Sequence, residues 1–158
     1  MKLKGIEIKG MNVISFGIPR GEECFEFRAQ AVTNMADFEA MCPEPKPRIK
    51  QFPGGVTELD INQPEYKEAL NKYNEKRSAF LILQSLRATA DLEWETVDYA
   101  VPDTWVNYVE ELRSSGFSQG EISHIIKKVL EANALNENQL DAAYERFLAL
   151  KQAAVNQE

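Results

Sequence analysis

The chain carries few residues able to do covalent chemistry, and their spacing suits it poorly. His124 is the only histidine. Nucleophilic catalysis of the Ser-His-Asp or Cys-His kind needs that ring as a base, beside a nucleophile and a third, orienting group. His124 stands between Ser123 and Ile125 in a helical pattern, far in sequence from Cys24 and Cys42. It reads as a surface or boundary residue. The two cysteines lie 18 residues apart with no second pair, which is not zinc-site spacing. Without an export signal they are expected to be reduced and unbridged.

Paired carboxylates are the other source of chemistry. Glu58 with Asp60, and Glu93 with Glu95 across Trp94, have the residue types of a glycosidase dyad. No calcium-loop pattern surrounds the first pair. Both pairs read as solvated loop carboxylates. Gly54-Gly55 runs into Val56-Thr57 with no lysine and no helix start, so it is not a phosphate loop. No stretch interleaves basic and aromatic residues for stacking on single-stranded nucleic acid. The expectation is a non-enzymatic protein with no catalytic residues, no cofactor and no metal.

Charge narrows the partners. The 158 residues hold 18 basic and 25 acidic side chains, a net charge of −7. A nucleic-acid binder draws its affinity largely from neutralising phosphates, so that class is disfavoured. The longest apolar run, Phe80-Leu81-Ile82-Leu83, is far short of the ~20 residues of a membrane span. A cytosolic protein bound to neither nucleic acid nor membrane is expected. A chain of this size can bury roughly 70% of its unfolded surface and needs no staple.

The elements divide the chain near residue 52. Residues 1–52 hold 8 basic and 7 acidic side chains, and residues 53–158 hold 10 and 18. Strand signals fill the first part. Lys2–Lys9, Asn12–Ile18 and Glu23–Val32 alternate apolar and polar residues, and Pro19-Arg20-Gly21 predicts a turn joining the last two as a hairpin. A short helix is predicted at Asn34–Met41. Pro43, Pro45 and Pro47 then predict a stiff, extended strap, and Phe52-Pro53-Gly54-Gly55 a loop. The second part is helical. Asn62 is placed to cap a helix over Pro64–Ala88 and Asp103 one through Arg113, which Gly116 ends. Ser118 with Glu121, and Asn136 with Gln139, open two more as a helical hairpin. The predicted fold is α+β: a small N-terminal antiparallel β-sheet followed by a bundle of about four helices. Residues 1–52 and 53–158 are expected to share one core.

Binding is what remains. Trp94, Tyr99, Trp105, Tyr108 and Phe147 are candidate anchors, each also a candidate core residue. The last helix carries Phe147, Leu148 and Leu150 and is wider on its apolar side than one buried face requires. Trp105, Tyr108, Phe147, Leu148 and Leu150 are therefore the candidate partner-binding residues.

One resemblance gives that binding a direction. It lies in Asp91-Leu92-Glu93-Trp94-Glu95-Thr96-Val97-Asp98, Thr104-Trp105, Glu110-Glu111-Leu112-Arg113, Gly116-Phe117-Ser118, Glu121-Ile122, the run Val129 to Leu135, and Ala143-Tyr144-Glu145-Arg146-Phe147-Leu148. Over about Pro64 to Leu148 this pattern resembles the tail assembly chaperones of tailed phages. The resemblance implies a protein that works in the host cytoplasm, binds the tape-measure protein or another phage tail protein before the tail tube polymerises, and is absent from the virion. Members of that family are often also made as a longer, frameshifted form. Self-association stays open. Two alternatives remain beside it. One is a structural virion protein, a tail or neck component docked through the N-terminal sheet. The other is a cellular adaptor, since Gly116-Phe117 followed by helices is faintly similar to a ubiquitin-associated domain.

Overall fold

A computed structural model describes residues 2–7 and 10–134. The chain is α+β, with small antiparallel hairpins towards the N-terminus followed by helices. The expected sheet is three separate two-stranded hairpins. β1 (Lys2–Leu3) and β2 (Ile6–Glu7) form the first, where one continuous strand over Lys2–Lys9 is expected. The break is local: Lys4 and Gly5 both take positive φ, 50° and 81°, which is what a two-residue hairpin turn of the I′ kind requires.

β3 (Val13–Arg20) and β4 (Glu23–Gln30) form the main hairpin, in register Phe16 to Phe27 and Ile18 to Phe25. The turn sits at Gly21-Glu22, two residues beyond Pro19. Gly21 has φ 60° while Glu22 has no positive φ, the pattern of a II′ turn. Pro19 belongs to the strand. It pairs with Cys24 at a position whose missing N–H costs no ladder bond. Gly17 leaves room for the Cys24 side chain, because a Cβ there would lie 2.5 Å from Sγ.

α1 (Ala36–Met41) follows, and the proline strap leads into β5 (Arg48–Gln51). β5 pairs with β6 (Thr57–Asp60), a hairpin that the loop reading of Phe52–Gly55 did not foresee. α2 (Pro64–Leu86) begins after Gln63, not Asn62, and no side chain caps it. Its buried face starts only at Ala79. Lys76 of α2, ahead of that buried face, reaches Asp103 at 2.5 Å. Asp103 therefore pairs with α2 and lies in the first turn of a 3-10 segment, Pro102–Asn107, which continues as α3 (Tyr108–Ser114). α4 (Gln119–Asn133) closes the described part. The predicted last helix, with its Asn136 to Gln139 start, lies outside the described residues.

One hydrophobic cluster draws on both halves of the chain. Phe16, Ile18, Phe27 and Ala29 from the main hairpin meet Leu83 and Leu86 of α2 and Ile122, Ile125 and Val129 of α4. At the other end Phe38, Tyr73, Phe80 and Trp105 form an aromatic group, with Phe80 and Trp105 ring centres 4.9 Å apart. Aromatic pairs at such spacing add about 0.5–1.5 kcal/mol beyond burial alone. Ser85 is the buried polar residue of this core, and its hydroxyl donates to the Gln30 carbonyl at 2.7 Å.

Candidate functional site

Two helix-end devices place the α3–α4 corner. Gly116 has φ 87°, its N–H donates to the Arg113 carbonyl and the Phe117 N–H to the Leu112 carbonyl, which is a Schellman ending. Ser118 and Glu121 then exchange hydrogen bonds as a capping box: the Glu121 N–H donates to Ser118 Oγ and the Ser118 N–H to Glu121 Oε2. Glu121 has a second task. The Arg20 guanidinium, at the end of β3, grips it bidentately and lies 4.8 Å from the Phe117 ring centre. The Arg20 hydrogen bond comes first, and the Ser118 N–H second, in holding the Glu121 carboxyl down at about 2. The main hairpin's tip is thus pinned to the α3–α4 corner by charge.

A groove opens between that tip and the segment after α2. It encloses about 610 Å³, within the roughly 300–1,000 Å³ range of ligand-sized clefts. Phe25, Phe27, Phe117, Leu92, Leu112 and Trp94 supply apolar surface to it. Phe27 and Phe117 meet edge to face at 5.9 Å. Phe25, next on the same face of β4, is 50% exposed and overhangs the groove. Trp94 is half-buried against the core. Thr89 ties the opposite wall to β4: its hydroxyl accepts from the Arg28 N–H at 2.9 Å and donates to the Arg28 carbonyl at 3.0 Å. Asp91 turns the chain in the left-handed region, φ 56°, a conformation that aspartate adopts more readily than most residues.

The rim is acidic. Glu23, Glu26, Asp91, Glu93 and Glu111 line the groove against one cation, Arg20, which is already held by Glu121. Glu26 pairs with Arg28 at 2.9 Å. Burial opposes ionisation of Glu111, but the Thr96 hydroxyl and the N–H groups of Glu95 and Thr96 outweigh it and hold its carboxyl below the usual range. Among the described residues Glu23, Asp91 and Glu93 have no ion-pair partner. A second hollow, lined by Glu93, Glu95, Glu110 and Glu111, extends the negative surface beyond Trp94.

The sequence-based candidates are placed differently. Trp105 is 0% exposed, and its indole N–H donates to the Asp98 carbonyl at 3.1 Å. Tyr108 is 7% exposed, and burial pushes its hydroxyl up. Both are corrected to core packing in this fold, because the aromatic group around Phe38 and Phe80 needs Trp105 and Tyr108 follows it into the interior. Phe147, Leu148 and Leu150 lie outside the described residues. Tyr99 is half-buried under the Arg87 guanidinium, 3.9 Å from its ring centre. Of the aromatic anchors, Trp94 lines the groove. The residues missed are Phe25, Phe27 and Phe117. Alternation marked the first two as an apolar strand face, and Phe117 stands just before the Ser118 helix start, so none pointed to a groove.

His124 is exposed on α4, edge-on to Phe16 at 5.7 Å, and makes no hydrogen bond among the described residues. Cys24 is exposed, Cys42 is buried, and both are free thiols. Burial comes first in pushing the Cys42 thiol up, which leaves it a poor nucleophile. Asp60 pairs with Lys50 at 3.0 Å on the exposed β5–β6 hairpin. Among the described residues no three His, Cys, Asp or Glu gather as metal ligands, and no helix is long and apolar enough to cross a membrane. No protein-family model matches the chain, and no curated protein or solved structure matches it.

Proposed function

We propose that the protein is a non-enzymatic assembly chaperone of a tailed phage. It works in the host cytoplasm and holds the tape-measure protein in a soluble, assembly-ready state before the tail tube polymerises. The observation that carries this reading is the groove. Phe25 and Trp94 present aromatic surface inside a rim of carboxylates, which suits a protein that must grip apolar segments and stay soluble while doing so. The pattern resemblance over 64–148 gives the groove its client, since Leu92 to Trp94, Leu112 and Phe117 belong to both.

Co-expression tests the reading. The tape-measure protein is produced with the native chain or with the Phe25→Ser/Trp94→Ser double variant, and its soluble fraction is measured by sedimentation. The native chain should keep it soluble and the folded double variant should not. Equal solubility with both removes the groove from the function.

One observation favours a second reading, a structural tail or neck component. The β5–β6 hairpin leaves Ile49, Leu59 and Val56 more than half exposed, as a docking element would. Mass spectrometry of infected-cell lysate and purified virions separates the two. Abundance in lysate with absence from virions supports the chaperone, and a fixed copy number per particle supports the structural component.

A further inference from the structure

The groove has a wall that is a strand edge. In the main hairpin the N–H groups of Phe25, Phe27 and Ala29 point to β3, as the following Ala31 N–H donates to the Asn12 carbonyl at 2.7 Å. Alternation turns the N–H and carbonyl of Cys24, Glu26, Arg28 and Gln30 outward. Arg28 is covered, because the Thr89 hydroxyl takes both of its groups. The Gln30 carbonyl is covered by Ser85. The edge at Glu26 and Cys24 has no hydrogen-bond partner among the described residues, and Glu26 lines the groove. The protein blocks its strand edge up to Arg28 and leaves it open where the groove begins. Open edges are pairing sites that folded proteins usually cover.

We infer that this edge and the groove together take an extended segment of the protein partner, added as a third strand beside β4 at Cys24–Glu26. This inference rests on the groove being the partner-binding surface. Main-chain hydrogen bonds to Glu26 supply affinity, and one large apolar side chain of the segment enters the groove between Phe25 and Trp94. The charge of the rim selects the flanks. Glu23, Asp91 and Glu93 lack cationic partners among the described residues, so the segment carries Lys or Arg on either side of its apolar residue and an acidic-flanked segment is rejected.

A designed peptide tests this. The probe is the fluorescein-labelled, end-blocked octapeptide Lys-Lys-Thr-Phe-Thr-Val-Lys-Lys, compared with its Glu-for-Lys counterpart by anisotropy. The basic peptide should bind at least tenfold more tightly than the acidic one, and raising salt from 50 to 500 mM should weaken it about fivefold as the rim is screened. The decisive variant is Glu26→Pro, which removes the outward N–H of an edge position and leaves the β3 ladder intact. With its fold checked by circular dichroism, it should lose at least tenfold in peptide affinity, while Glu26→Gln loses less than threefold. If the folded Glu26→Pro variant binds as tightly as the native chain but Phe25→Ser does not, strand addition is overturned and the groove reading stands. If neither peptide binds, the inference is overturned, and the co-expression assay decides the chaperone reading separately. Should Glu26→Pro not fold, a peptide N-methylated at all four central residues, Thr-Phe-Thr-Val, takes its place: undiminished binding by that peptide overturns strand addition in either direction.

Discussion

The β3–β4 and β5–β6 hairpins are built by the same local rules and have opposite fates. Both alternate apolar and polar residues across antiparallel pairs, Phe16 with Phe27 in one and Ile49 with Leu59 in the other. The first buries its apolar face under α2 and α4, so Ala29 is fully buried. The second is exposed along its whole length except at Asp60, which is half-buried. Alternation makes a ladder. Only a helix laid on it makes a core. A two-stranded ladder alone is at best marginally stable in water, so β5–β6, like the exposed β1–β2 hairpin, adds little to the stability of the described chain.

Large core truncations should show the widest gap between the two hairpins. Phe27→Ala is expected to lose about 3–5 kcal/mol of unfolding free energy. Ile49→Thr and Leu59→Thr are each expected to stay within about 0.5 kcal/mol of native. Chemical denaturation measures both, and a loss above about 2 kcal/mol for Leu59→Thr would erase the distinction. Trp105→Ala belongs with the large losses, about 3–5 kcal/mol, because it empties the space beside Phe80 and Phe38. A loss under 1 kcal/mol would return Trp105 to the candidate anchors.

The next effect is smaller and belongs to the corner that pins the packed hairpin. Ser118→Ala removes half of the capping box and should cost about 1 kcal/mol, read from the denaturation midpoint.

The smallest effect is the pH dependence of the same corner. The Glu121 carboxyl, held down at about 2 by Arg20 and Ser118, ionises in the folded state well below its unfolded value. Its stabilisation is complete above the unfolded carboxylate range, about pH 4.3. It is lost as pH falls through the folded value near 2. Between those limits the native chain should lose melting temperature more steeply than Glu121→Gln. Parallel acid profiles would show that the corner does not depend on this carboxylate. The β5–β6 hairpin has no comparable anchor; Lys50 with Asp60 is a single ion pair whose lysine is exposed.

Much of the fold was legible, and the exceptions have physical causes. The Ser118–Glu121 box and the Gly116 ending are written in adjacent residues, and the structure forms both. The apolar face of β4 follows from alternating Phe25, Phe27 and Ala29, while its register with β3 is set by the turn at Gly21-Glu22. Pro19 misled the turn assignment, because proline suits a turn and an unpaired edge position equally well. β5 and β6 were missed because four-residue strands beside a proline strap have too little pattern to read. The groove was not legible at all. Phe25, Trp94 and Phe117 come from three separate stretches, and each alone reads as core.

The sequence by itself determined the local grammar of this protein: the Gly116 ending of α3 and the Ser118 start of α4, which faces of β3 and β4 are apolar, and an acidic balance concentrated after residue 52. Short-range rules of capping, alternation and backbone freedom suffice for that. The tertiary structure decided which apolar residues are buried and which stay exposed. Trp105 and Trp94 look alike in sequence, but one is enclosed by Phe38 and Phe80 and the other lines an acidic cleft. Burial depends on what packs from distant parts of the chain, and no window of neighbouring residues contains that information.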